Sequence, residues 1–486
     1  MHGKLRKNAG AKMSDAEIGL IGLGVMGANL ALNIAEKGFK IAVFNRTTQV
    51  TKDFYANAGK LAANVVPCET MEALVGAIRA PRPIIIMTKA GEAVDQTIAA
   101  LRPLLKGNDI IIDAGNANFR DTMRRFGELD GTGLTFIGMG VSGGEEGARH
   151  GPSIMAGGTQ ASFDRIAKVL HAISAKYKGE SCAGYMGPNG AGHFVKTIHN
   201  GIEYADMQMI SEIYGLMRDG LGMKAAEIAK VFGDWNKGRL NSYLIEISHK
   251  VLSVTDKKAK KPIVDIILDK AGQKGTGKWS VIEAQNFGVN ASAIEAAVDA
   301  RIMSSLKAER EKAEKAYKIP KKKLKVTSRA AFLKQLEGAL YAGKIAAYAQ
   351  GFAVMETASK EFNWNLPLGT IAAIWREGCI IRSQFLGEIT KAFSKKGGNL
   401  LMAPAFAKMM QKDHTSLRAV VAQSALSGAP APALANALSY FDGYRQSRGT
   451  ANLIQAQRDF FGAHGFERIG EEGAHHGPWA MNAKHD

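Results

Sequence analysis

Ile18-Gly19-Leu20-Ile21-Gly22-Leu23-Gly24-Val25-Met26-Gly27 runs from an apolar stretch straight into a cluster of glycines, and this stretch decides the fold. Ile18–Ile21 has the composition of a buried strand. Ala28-Asn29-Leu30-Ala31-Leu32-Asn33-Ile34-Ala35 then gives a helix, with Gly38 placed to cap its end. Between strand and helix, Gly22, Gly24 and Gly27 fit the G-x-G-x-x-G spacing. The first glycine makes a tight turn and the second lets backbone approach a pyrophosphate. The third lets the helix pack on the strand. The start of the helix adds unpaired N–H groups and a partial positive charge. Gly22, Leu23, Gly24, Val25, Met26 and Gly27 are therefore expected to hold a dinucleotide.

Twenty residues further on, a second apolar run, Ile41–Phe44, ends in Asn45-Arg46-Thr47. A site for NAD places a carboxylate here, to accept from the ribose 2′-hydroxyl. An amide, a guanidinium and a hydroxyl suit a 2′-phosphate instead, since Arg46 can pair with it through two hydrogen bonds. NADP is the expected cofactor, with Asn45, Arg46 and Thr47 around its extra phosphate.

Four more apolar runs follow, at Ile84–Met87, Ile110–Ile112, Phe136–Met139 and Ile154–Ala156. Strands this apolar are covered on both faces, which predicts a parallel sheet with crossover helices, doubly wound. Ligands of such sheets bind at the carboxyl ends of the strands. The loops Asp113-Ala114-Gly115-Asn116 and Val141-Ser142-Gly143-Gly144 both lie at such ends. After the turn-rich Tyr185–Gly190 nearly everything to Gly443 has helical periodicity, and a polar tail follows. The expected domains are an α/β Rossmann-like domain at 14–189, a large all-helical domain at 190–446 and a tail at 447–486. Residues 1–13 read as a disordered extension, with Met13 a natural start.

At 486 residues the chain exceeds one ordinary core. Hydrophobic residues at 46% and charged residues at 22% suit a folded, soluble protein. No apolar stretch is long enough to span a bilayer, and no secretory signal opens the chain. These absences predict a cytoplasmic protein with no membrane partner. Cys68, Cys182 and Cys379 are widely separated and read as buried small hydrophobes rather than a metal or redox cluster. The net charge of +18 admits nucleic acid or an acidic substrate as partner. Its densest runs, around Lys257–Lys261 and Lys321–Lys325, lack the interleaved aromatics of a single-strand binder.

The sharpest chemical signal is Lys196-Thr197-Ile198-His199-Asn200-Gly201-Ile202-Glu203-Tyr204. Offsets of three, four and seven residues fall on one helix face, so Lys196, His199, Asn200 and Glu203 form a polar stripe about 10 Å long. Phe194, Val195, Ile198 and Ile202 leave that stripe little room to face water.

Together with GLGVMGANLALNIAEKGF, NRT, TKAG, GMGVSGGEEGARHGPS, VKTIHNGIEYADMQMISE, AGQKGTGKW and LIQAQRDFFGAHGFE, this stripe resembles the decarboxylating 6-phosphogluconate dehydrogenases of the β-hydroxyacid dehydrogenase superfamily. The resemblance runs from about Glu17 to about Gly477. It implies oxidative decarboxylation of 6-phospho-D-gluconate to D-ribulose 5-phosphate and CO2 with reduction of NADP+, a step of the pentose phosphate pathway. Lys196 would be the general base and Glu203 the general acid. His199, Asn200 and Tyr204 would line the sugar-acid pocket with Asn116, Ser142, Gly143 and Gly144. Lys274, Arg301, Arg458 and His464 would hold the substrate, its phosphate above all. Thr88, Lys89, Ala90 and Asn116 would join the cofactor contacts. The tail would reach a partner subunit, making a homodimer with shared sites, and the chemistry needs no metal. Gly465-Phe466 stands where a Thr-Tyr pair is frequent in the family, a departure at the phosphate end only.

Two other readings fit less of the chain. A shorter β-hydroxyacid dehydrogenase has neither the long helical domain nor the basic tail. A nucleic-acid-binding protein has no use for a Lys196–Glu203 stripe.

Overall fold

The computed structural model describes residues 15–320, 323–394 and 398–479. The expectation of a disordered extension at 1–13 lies outside the described residues. Ile18–Ile21 forms strand β1, with all four residues buried. Helix α1, Val25–Glu36, starts three residues earlier than the sequence suggests, because the turn consumes only Gly22–Gly24 and Gly24 caps the helix. Gly38 follows its end at φ +84°, and its N–H bonds back to Ala35 O.

The sheet continues through β2 (Ile41–Phe44), β3 (Val65–Cys68), β4 (Pro83–Ile86), β5 (Ile110–Asp113), β6 (Thr135–Val141) and β7 (Ile154–Ala156). After a small antiparallel hairpin, β8 (Lys176–Tyr177) and β9 (Glu180–Ser181), strand β10 (Ala183–Tyr185) rejoins it. The order is β10-β7-β6-β5-β4-β1-β2-β3. Helices α2 (Thr48–Asn57), α3 (Met71–Ala77), α4 (Glu92–Leu101), α5 (Phe119–Leu129), α6 (Gly144–His150) and α7 (Gln160–Ile173) alternate with the strands. Ile110 and Ile112 enter one hydrophobic cluster while Ile111 enters another, so both faces of the sheet are covered. Double winding is what the apolar runs demanded.

The sheet is not wholly parallel, however. From β3 to β6 every pairing is parallel, but β7 runs antiparallel to β6, and β10 then pairs parallel with β7. The reason lies in α6. Seven residues of helix cover about 10 Å, less than half of the roughly 23 Å that β6 spans. The chain therefore turns back before it can cross over to the starting edge.

Helix α8, Ala191–Gly215, follows the sheet domain, and every residue from Ala191 to Ile202 is buried. It packs on β6 and β7 and on later helices of its own domain. The helices that follow are α9 (Ala225–Trp235), α10 (Tyr243–Ser253), α11 (Thr276–Asn286), α12 (Ser292–Ser305), α13 (Lys307–Tyr317) and α14 (Arg329–Glu361), of which α8 packs on α10, α11, α12 and α14. At 33 residues α14 is buried through most of its middle, from Gly338 to Phe352. Helix α11 is tied to the sheet domain by Arg120 of α5, whose guanidinium grips the buried Glu283 at 2.8 and 2.6 Å. Four further helices, α15 (Leu368–Ile374), α16 (Phe385–Phe393), α17 (Pro404–Ser427) and α18 (Pro432–Tyr444), follow in order.

By contacts the chain divides into residues 1–437 and residues 438–486. The second unit holds helix α19 (Ala451–Gly462) and a two-stranded hairpin, β11 (Phe466–Glu467) with β12 (Ala474–His475). Its organiser is Asp459, fully buried. That carboxylate accepts from the Gly465 and Gly477 N–H groups and from the Trp479 indole, and it pairs with His476. Among the described residues no helix is long and apolar enough to cross a membrane.

Candidate active site

The three glycines of the turn are glycines for three different reasons. Gly22 sits at φ +99°, and a Cβ on it would come 2.6 Å from Met87 O. On Gly27 a Cβ would come 1.9 Å from Gly22 O, so α1 can lie on β1 only without one. Gly24 meets nothing within 4 Å. Its bare side faces open space, which is where a pyrophosphate would approach. Leu23 N–H is already engaged, donating to Asn45 Oδ1 at 3.1 Å. Asn45, expected at the cofactor, thus also braces the turn from the neighbouring strand.

Arg46 and Thr47 are exposed, and among the described residues Arg46 has no ion pair or side-chain hydrogen bond. Thr47 caps α2 without using its hydroxyl. Past β4, Thr88 Oγ1 is buried and has no hydrogen-bond partner among the described residues, while Lys89 is exposed. A free cation, a free hydroxyl, an orphaned buried hydroxyl and a bare glycine turn fit a phosphorylated dinucleotide.

The chemical centre forms where the end of β6 meets α8. Lys196 lies directly across the strand, for a Cβ on Gly140 would be 2.5 Å from Lys196 Cβ. Lys196 Nζ donates to Ser142 Oγ at 3.0 Å, and Ser142 Oγ lies 3.3 Å from His199 Nε2. The other ring nitrogen, Nδ1, is 3.1 Å from Asn200 Oδ1 and 3.4 Å from Lys196 Nζ. Glu203 Oε2 stands 3.8 Å from the same nitrogen. Trp375 backs the imidazole edge-on at 5.2 Å. Gly143, at φ +100°, turns the chain away after Ser142.

Burial governs the electrostatics. Lys196 is 6% exposed, and desolvation pulls its ammonium below the ordinary lysine range, against the opposing pull of Glu203. Desolvation and the adjacent Lys196 hold His199 well below the usual imidazole value. Burial pushes Glu203 up, with Lys196 and Arg301 opposing and Asp206 assisting. Amine and carboxyl are both driven toward neutrality, the pairing needed to move protons in opposite directions.

Of the residues anticipated from sequence, Ser142, Lys196, His199, Asn200 and Glu203 form one connected cluster. Arg301 stacks on Tyr204, its guanidinium carbon 3.7 Å from the ring centre, and it acts electrostatically on Glu203. Asn116 and Lys274 are exposed, at the end of β5 and just before α11. Arg458 and His464 belong to the second unit, where both are exposed. Trp375 went unrecognised, as did a buried ion pair between Asp206 of α8 and Lys344 of α14, each side chain 2% exposed. Lys344 carried a signal: it is the only charged residue between Gly338 and Met355.

A glycine-turn nucleotide domain joined to a helix that presents a buried amine, imidazole and carboxyl defines a nicotinamide-nucleotide-dependent dehydrogenase. Comparison with known proteins narrows the class. Residues 17–187 match the NAD binding domain of 6-phosphogluconate dehydrogenase and residues 192–479 match its C-terminal domain. The NADP(+)-dependent, decarboxylating 6-phosphogluconate dehydrogenase of Bacillus subtilis is 48% identical over 96% of this chain and 100% of its own. The decarboxylating enzyme of Drosophila melanogaster is also 48% identical, over 96% of each chain. A solved 6-phosphogluconate dehydrogenase of Plasmodium falciparum, described in apo form and with NADP+ and 6-phosphogluconate, superposes with a TM-score of 0.92. It is 41% identical, covering 95% of this chain and 100% of its own. The chain belongs to the 6-phosphogluconate dehydrogenase family.

Proposed function

We propose that this chain oxidises 6-phospho-D-gluconate with NADP+ and decarboxylates the product to D-ribulose 5-phosphate, with Lys196 as base and Glu203 as acid. The observation that carries the reading is the buried Lys196–Ser142–His199 cluster, with Glu203 two helical turns from the amine. NADP+ accepts a hydride when bound. The lone pair of neutral Lys196 takes the proton of the substrate's 3-hydroxyl as C3 loses that hydride. In the resulting 3-keto acid the bond from C2 to the carboxylate breaks. CO2 leaves, and the bonding electrons pass onto the ketone oxygen, to which protonated Lys196 donates. Glu203, kept neutral by burial, then delivers its proton to the enediol carbon that becomes C1, while Lys196, neutral again, takes the enediol's C2 hydroxyl proton to leave the ketone of ribulose 5-phosphate. Ser142 orients the amine, and a neutral His199 with its proton on Nδ1 accepts from Ser142 while donating to Asn200.

Asn116, Gly143, Gly144, Asn200 and Tyr204 line the sugar acid in this reading, and Lys274 and Arg301 meet its charged ends. Gly22–Gly27, Asn45, Arg46, Thr47 and Thr88–Ala90 hold the nucleotide. Arg458 and His464 reach a second subunit's site in a homodimer, and the enzyme works in the cytoplasm. Incubating purified chain with 6-phosphogluconate and NADP+ tests the activity. Reduced cofactor, CO2 and ribulose 5-phosphate should form in equal amounts. Reduction without CO2 would overturn the decarboxylating assignment.

A further inference from the structure

Asp206 lies three residues beyond Glu203 on α8, so the two side chains are neighbours on one helix face, with Cβ atoms about 5–6 Å apart. Two like charges so placed, out of water, disfavour each other. Lys344 of α14 pairs with Asp206 Oδ2, and both side chains are almost wholly buried. The pairing is one-sided. Asp206 Oδ1 is buried and has no hydrogen-bond partner among the described residues. A buried ion pair with an unsatisfied oxygen is costly, and an apolar pair of the same volume would generally serve stability as well or better. Its place beside the reacting carboxyl supplies a reason for it.

We propose that Asp206, pinned by Lys344, is a positioning residue of the reaction: its buried negative charge keeps the proton on Glu203 until the enediol takes it. This rests on the assignment of Glu203 as the acid. Several groups face Glu203. Lys196, His199 and Asp206 stand on α8, and Arg301 comes from α12. Tyr348 comes from α14 and Cys379 from the segment after α15. Burial pushes the Tyr348 phenol and the Cys379 thiol up, so both are neutral at ordinary pH, and desolvated His199 is neutral too. The charges left to decide the Glu203 proton are Arg301 and, once it has taken the substrate's proton, Lys196, against one anion, Asp206. Lys344, on the neighbouring helix, fixes that anion in place.

Removing the anion should shift the Glu203 proton and keeping a carboxylate should hold it, which a purely structural pair would not do. Asp206→Asn removes the anion and leaves a cation, so the alkaline limb of the kcat–pH profile should move down by about one pH unit or more. Lys344→Met leaves Asp206 buried without its cation, so the carboxyl takes up a proton and the limb should again move down. Asp206→Glu should hold it near the parent position. If either single variant fails to fold, Asp206→Asn/Lys344→Met removes both charges, and its limb should still move down because the anion three residues from Glu203 is gone. Infrared titration of the full-length chain, following the carboxyl band that Glu203→Gln abolishes, reads the same proton without turnover. Band and limb moving down together in Asp206→Asn, and staying near the parent position in Asp206→Glu, supports the proposal. A band that stays in place in the folded variants that lack the anion overturns it. A band that moves while the limb does not leaves the Asp206 effect standing and removes Glu203 from the role of acid.

Discussion

Arg46 is poised for a task the protein itself does not give it, for it is exposed and unpaired among the described residues. If it reads the 2′-phosphate, Arg46→Ala should raise the KM for NADP+ by about 10- to 150-fold, the range of a charge-assisted bidentate contact. Use of NAD+ should barely change, and equal weakening toward both nucleotides would deny Arg46 that role. Glu203→Gln keeps shape but has no proton to give. Rapid mixing should show a first burst of reduced cofactor followed by a much slower steady rate. At this scale the sequence was readable wherever neighbours in space are neighbours along one helix face, as with Lys196, His199, Asn200 and Glu203. It was silent where contact spans the chain. Nothing in Asn45 announces its bond to Leu23, and Asp206 and Lys344 are 138 residues apart.

The elements set the side chains' positions, so they too can be tested. Gly140 on β6 leaves room for Lys196, and the Cβ of Gly140→Ala would push the amine off its line. We expect kcat to fall by about 10²-fold, at a cost in stability of about 1–3 kcal/mol, with NADPH affinity unchanged. Calorimetry and steady-state kinetics on one preparation separate these effects. Farther along α8, Glu212 is buried and accepts from the Ala433 and Leu434 N–H groups at 2.8 and 3.0 Å, at the start of α18. Burial outweighs those bonds and holds its carboxyl up at about 7. A carboxyl raised on folding contributes its stability below the ordinary value of 4.5 and loses it as pH rises through about 7. The unfolding free energy of Glu212→Gln relative to the parent should therefore improve across that window, by about 3 kcal/mol. A flat difference between the two chains would contradict it. Elements were legible in proportion to their apolar content. The runs in β1, β2, β4, β5, β6 and β7 declared themselves. Val65–Cys68 hid behind Pro67, tolerated because β3 is an edge strand. Ala183–Tyr185 is only three residues long. The reversal of β7 depends on the length of α6, which hydrophobic pattern does not encode.

At the scale of the whole molecule, the second unit leaves Leu453, Ile454, Phe460 and Phe461 more than half exposed. A patch of that kind fits the proposed homodimer. If the tail completes a second subunit's site, an Arg458→Ala chain mixed with a Lys196→Met chain should regain part of the lost activity, because each hybrid dimer holds one intact site. Activity assays after verified subunit exchange check this, and no rescue would argue for self-contained sites. The order of sheet domain and helical domain was legible because strand and helix periods differ so plainly on either side of Tyr185–Gly190. The tail's local fold was not, since its organiser, Asp459, gathers Gly465, His476, Gly477 and Trp479 from beyond its own helix. In the proposed reaction a desolvated amine on α8 meets the substrate's hydroxyl beside the nucleotide. Lys196→Arg tests it most directly, because guanidinium keeps the charge and stays protonated at any working pH. With NADPH binding verified as intact, kcat for 6-phosphogluconate should fall by about 10²–10⁴. A kcat near that of the parent chain would contradict the claim.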